Sequence, residues 1–202
     1  MRIQAAEQEA LVVGEARQLK EGRIDVGFGR LKSEDPAIRR IVLREEALMV
    51  ALPAGHRLST VEGPAKLSQV VQEPLLVYPK NPRPSFADQV LATFKERNLV
   101  PQTVLEVREL QIAIGLVGAG QGVAIVPESL QGMIRTDVVY RPLGEPSAVS
   151  PIIFSAPHGP FARAHEHAGS DLRDLRPTRD RARQACAAGS AGAAAPDRAG
   201  NR

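Results

Sequence analysis

Apolar and polar positions along most of this chain switch between two periods. Ile24, Val26 and Phe28 recur at every second residue and predict a strand, closed by Gly29 with Arg30 just beyond it. Residues 47–52 contain no polar side chain and have the length of a buried strand, ended by Pro53 and Gly55. A separate extended run precedes them at 41–46, set off by a turn at Pro36. Residues 75–78, 103–107, 123–126, 137–143 and 151–155 read as further strands. Between these runs the period lengthens. Ser85 stands as an N-cap before a helix reaching about Asn98, with Phe86, Val90, Leu91 and Phe94 on one face. Residues 108–117 predict another helix with Leu110, Ile114 and Val117 inward, broken by Gly118, Gly120 and Gly122. A short helix is expected around 67–71. A longer one is expected over 5–21, ended by Gly22, although Leu11, Val12 and Val13 are only weakly periodic. Strand and helix alternate, so helices should cover sheets in a mixed α/β architecture.

Beyond Pro157 this patterning fails. Residues 158–202 contain only Phe161, Leu172 and Leu175 as large apolar side chains among Ala, Arg, Gly and Asp. Such a segment buries too little surface to offset the entropy of ordering, so disorder is expected, with a short helix over 171–188 as the competing reading. The same segment explains the charge. Its eight Arg and five acids account for the whole net +3 of the 202 residues, leaving eighteen basic and eighteen acidic residues elsewhere. The pI near 9.3 therefore gives no evidence of a basic DNA-binding face.

Composition narrows the classes further. An apolar share of 43% is enough for a core, but with 3% aromatics and no Trp that core must be Val, Leu, Ile and Ala. No apolar run approaches the roughly 20 residues of a membrane span. The first ten residues are polar and acidic, unlike a secretory leader, so a cytoplasmic protein is expected. A single cysteine, Cys186, excludes an internal disulfide and a cysteine metal cluster, and without a flanking His it reads as an inert thiol. His56 is the only histidine before residue 158, so no His-based triad or metal site can be assembled there. His165 and His167 carry chelating atoms but read as part of a solvated tail. No nucleophile, base and orienting group converge, so no catalytic residue, metal or cofactor is assigned.

The candidate chemistry is anion binding. Residues 79–88 and 106–127 are two strand-to-helix junctions, each opening a helix whose first N–H groups are unpaired and favour a negative charge. Pro84, Ser85 and Phe86 would cradle a carboxylate in this way; an ordinary cap by Ser85 with Phe86 as a packing residue is the alternative. Arg30 follows the end of a strand, where ligands of open α/β sheets lie. Glu109 sits in the first turn of its helix, which the dipole alone favours. The two either face a ligand or form a structural bridge between lobes. The Gly-Ala-Gly-Gln-Gly run at 118–122 lacks the lysine of a phosphate-binding loop.

At residues 24–30, 35–38, 43–46, 82–88 and 106–127 the chain resembles the effector-binding domain of LysR-type transcriptional regulators. More narrowly, it resembles the branch controlling catechol, chlorocatechol and benzoate breakdown, over about residues 18–156. The resemblance implies a two-lobed, periplasmic-binding-protein-like α/β fold with an inducer in the cleft and two crossover strands as hinge. It implies an incomplete first lobe over 1–45, with residues 1–13 outside the family pattern, and a complete second lobe over 46–150. A return strand over 151–157 and a non-family tail over 158–202 follow. The first lobe should lack its opening strand and closing helix. The family's winged helix-turn-helix and linker helix have no counterpart in the sequence, so a truncated or rearranged gene product is expected, with no DNA-binding residue in this chain.

By the same resemblance Arg30, Pro84, Ser85, Phe86 and Glu109 match positions near the inducer cleft, and Arg44 and Glu46 match a second, aromatic-acid pocket. A hydroxyl contact expected near Val12 is missing. The implied ligand is cis,cis-muconate or a chloromuconate, whose two carboxylates suit a helix N-terminus at one end and Arg30 at the other. An intact member binds promoter DNA as an oligomer through its helix-turn-helix. A solute-binding protein for small carboxylates shares the two-lobed logic but needs an export signal. A non-functional truncated product is the other alternative.

Overall fold

The computed structural model describes residues 3–5, 12–31, 35–81, 83–133 and 135–158. The expectations for the tail, and the position of Pro82 in the junction at 79–88, lie outside them. One strand organises everything else. β3 (Ile38–Pro53) runs unbroken for 16 residues where the sequence pattern divides it at 46, because no Gly or Pro interrupts it and it finds partners along its whole length. Residues 38–47 pair antiparallel with β8 (Val149–Pro157), and from Leu48 onward the partners become β6 (Val123–Pro127) and β7 (Val138–Pro142). The eight described strands follow the order β1 (Ile3–Ala5), β2 (Val26–Gly29), β8, β3, β6, β4 (Leu75–Val77), β5 (Val104–Glu106), with β7 joined to β3 alone.

In the first lobe β2 (Val26–Gly29) pairs antiparallel with β8 and parallel with β1 (Ile3–Ala5). The helix expected over 5–21 is shorter: α1 spans Val12–Lys20, and Ile3–Ala5 joins the sheet instead. A weak helical period gives way where a parallel ladder is on offer. Ala16, Leu19, Ile24 and Ile38 form a small core between α1 and the sheet.

Glu15 is buried in the same layer, 5% exposed, and among the described residues its Oε1 finds no hydrogen-bond partner. Gly27 makes room for it, since a Cβ there would lie 2.3 Å from that oxygen. Burial pushes the Glu15 carboxyl above its ordinary range, while the Ser155 hydroxyl and the Arg40 charge pull it back. A native pKa above the unfolded value of 4.5 means that this group's stabilisation is complete below pH 4.5 and is lost as pH rises through the native value. Glu15→Gln is therefore expected to raise Tm by roughly 2–4 °C at pH 7 and to match the wild type near pH 4. Calorimetry across that range checks it, and equal melting at both ends contradicts it.

The second lobe carries the large core. β4 (Leu75–Val77) lies between β6 and β5 (Val104–Glu106), parallel to both. α2 (Leu67–Val70), α3 (Phe86–Lys95), α4 (Leu110–Gly118) and a 3-10 turn (Glu128–Gly132) complete it. Leu48, Val50, Leu52, Leu75, Leu76, Phe86, Phe94, Ile114 and Ile125 are all at most 2% exposed. The expected face of α3 buries Phe86, Val90 and Phe94, while Leu91 is only partly covered. Among the described residues no helix is long and apolar enough to cross a membrane.

Candidate functional site

Between Val42 and Arg44 the pairing of β3 with β8 slips by one residue, so Leu43 is extra. Arg44 then pairs with Ile152 and Glu46 with Ser150. Gly29 pairs with Ile153, so Arg30, one residue on, stands beside Ile152. Residues opposite one another share a face. The slip thus brings Arg30, Arg44, Glu46 and Ser150 to one side of the junction between lobes. Arg30 donates through Nη2 to Glu46 Oε2 at 2.5 Å, and Arg44 through Nη2 to Glu46 Oε1 at 2.9 Å. The Glu46 side chain is 7% exposed, against 21% for Arg30 and 43% for Arg44. Among the described residues two guanidinium groups share one carboxylate, so this triad carries an excess of one positive charge.

The network extends into the second lobe. Arg30 Nη1 donates to Ser150 Oγ at 3.4 Å, and Ser150 Oγ donates to Gln89 Oε1 at 3.1 Å. Gln89 Nε2 donates in turn to the Val149 carbonyl at 3.3 Å. Neither Ser150 nor Gln89 was marked by any sequence signal; a serine beside Pro151 in a strand looks unremarkable.

At the start of α3, Ser85 is the expected N-cap. Its Oγ accepts from Ala87 N at 3.2 Å and donates to the Pro79 carbonyl at 3.0 Å. Asp88 completes the box by accepting from Ser85 N at 2.6 Å. The Asp88 carboxylate also pairs with Arg83, which holds Glu106 as well. Two acids on one guanidinium leave this corner locally negative. The Ser85 hydroxyl is fully committed, and the Phe86 ring, 1% exposed, packs on Tyr78 with centroids 5.4 Å apart. Among the described residues no hydrogen bond engages Phe86 N–H. That N–H is the first-turn donor left without a partner among them, but it is buried with Phe86 behind exposed Pro84. Ser85→Ala should cost about 1–2 kcal/mol by removing the cap and orphaning the Pro79 carbonyl. Urea unfolding measures it; a change under ~0.3 kcal/mol would show that the cap contributes nothing.

Among the described residues no ion pair joins Glu109 to Arg30. Glu109 is the exposed N-cap of α4, one residue before the helix rather than in its first turn, and its side chain makes no cap bond. Arg30 instead uses Glu46, so the structure joins charges that the sequence reading assigned to two separate sites.

The sequence profile of the LysR substrate-binding domain matches residues 10–168. The chain is 47% identical over 135 residues to the HTH-type transcriptional regulator BenM of Acinetobacter baylyi, covering 66% of this chain and 44% of that protein. It is 44% identical over 151 residues to the HTH-type transcriptional regulator CatR of Pseudomonas putida, covering 75% and 52%. The chain thus spans about half the length of the curated relatives it matches. These relatives are transcriptional regulators, not enzymes. Among solved structures, the effector-binding domain of a BenM variant superposes with a TM-score of 0.75 at 38% identity, over 80% of this chain and 76% of that one. The BenM effector-binding domain with its effector benzoate gives 0.71 at 38% identity, over 78% and 77%.

Proposed function

The chain belongs to the LysR substrate-binding domain family and carries the two-lobed effector-binding fold of regulators of aromatic catabolism, and we propose that its ligand is cis,cis-muconate or a chloromuconate. The observation that carries this reading is the excess of one positive charge in the triad where Arg30 and Arg44 share Glu46. A carboxylate complements it. Gln89, one turn into α3 from Phe86, bonds to Ser150, which Arg30 touches. The hinge cations and the first turn of α3 therefore lie on elements linked by hydrogen bonds, and a diacid with one carboxylate on Arg30 and Arg44 would need its second to displace the Asp88 carboxylate that now faces that turn. Glu109 would tune the field near the α4 end of the same cleft. An aromatic monocarboxylate, of the kind bound by the benzoate-bearing relative, would compete with Glu46 for Arg30 and Arg44. In a full-length regulator the lobe equilibrium set by the ligand would alter contacts with promoter DNA and between copies of the chain, in the cytoplasm.

A thermal-shift panel tests the ligand class. Millimolar cis,cis-muconate should raise Tm by mass action on the folded state, with a chloromuconate similar and the dimethyl ester of muconate inactive. Equal shifts from diacid and diester would contradict a charge-based site.

A further inference from the structure

We infer that Ser150 is a positioning residue that couples the Arg30–Glu46 pair of the hinge to helix α3 of the second lobe, with Gln89 as its acceptor. Ser150 is completely buried on the return strand, and a serine hydroxyl has one proton. That proton goes to Gln89 Oε1 at 3.1 Å, so towards Arg30 Nη1 at 3.4 Å the same oxygen acts as acceptor. Donation therefore runs one way, from guanidinium to hydroxyl to amide, and each bond polarises the next. Glu46 enters twice: it holds Arg30, and it is the residue that pairs with Ser150 across the strands. At the other end the Gln89 amide is anchored on the Val149 carbonyl, and the Gln89 backbone N–H reaches the carbonyl of the α3 cap residue, Ser85. A change in the charge or position of Glu46 moves Arg30, removes the donor from Ser150 and weakens the Ser150–Gln89 bond that ties the return strand to α3. Separation of the lobes at this point would strand a buried hydroxyl, which penalises intermediate positions and favours two discrete arrangements.

The use of this relay in ligand sensing rests on the effector reading above, but its test needs no ligand. A double-mutant cycle between Glu46→Gln and Gln89→Met, read by urea unfolding of the whole chain, is run with Ser150 and again with Ser150→Ala. With Ser150 the two changes should be non-additive by roughly threefold or more in the unfolding equilibrium constant. With Ser150→Ala they should add. A serine that merely fills space would lower stability when replaced and leave the coupling untouched. If the alanine variant does not fold, Ser150→Cys, with a similar shape and a much weaker donor, gives the same reading. Additivity in the presence of Ser150, or coupling that survives loss of the hydroxyl, overturns the inference. Failure of muconate to shift Tm would count against the proposed ligand and leave this result standing.

Discussion

Arg30→Ala is expected to destabilise the protein by about 2–3 kcal/mol and to abolish carboxylate binding at the same time. The Glu46 carboxylate is 7% exposed, and removing its deeper partner leaves it with Arg44 alone, whose side chain is 43% exposed. Breaking a fully buried pair costs about 3–5 kcal/mol, and the partial exposure of Arg30 together with the remaining Arg44 places this case below that range. Arg44→Ala should cost under about 1 kcal/mol, as solvent-screened pairs do. Urea unfolding at pH 7 separates the two. Equal costs for both arginines would show that burial of Arg30 does not matter.

Gly122→Ala is expected to have the largest effect of any single methyl group, about 4 kcal/mol, and to unfold the second lobe. Gly122 has φ 154°, and a Cβ there would lie 2.3 Å from the Pro74 carbonyl oxygen. That oxygen cannot withdraw, because it accepts from Val123 N at 2.9 Å where β4 and β6 begin to pair. Steric overlap with backbone adds to the dihedral strain. Gly120→Ala is the control. It has φ 74° but open space around it, so only about 1–2 kcal/mol is expected. Circular dichroism melts of both variants decide the matter. Similar melts would show that the Pro74 contact relaxes freely.

What could be read from the sequence was what local chemistry decides. Ser85 caps α3 because a hydroxyl before an apolar helical face meets the unpaired N–H two residues on, and both signs are written within ten residues. The break at 118–122 was visible for the same reason. The partner of Arg30 was not. It depends on the extra residue at Leu43, which decides which face of β3 carries Arg44 and Glu46 and which no residue type announces. Glu109 matches Arg30 only through the resemblance, which puts both near the cleft, whereas the register of distant strands gives Arg30 to Glu46. Ser150 gains its role from Arg30, 120 residues away, and Gln89, 61 away. The strand Ile3–Ala5 was hidden likewise, since its ladder partner lies beyond the intervening helix α1.

The carboxylate reading meets its most direct test in calorimetric titration of cis,cis-muconate into the wild type and into Arg30→Ala, at 10 °C with both shown folded by circular dichroism. The account predicts saturable one-to-one binding by the wild type and a loss of at least about tenfold in affinity with Arg30→Ala, equivalent to about 1.4 kcal/mol. No heat from folded wild-type protein at millimolar ligand, or undiminished affinity without Arg30, would contradict it.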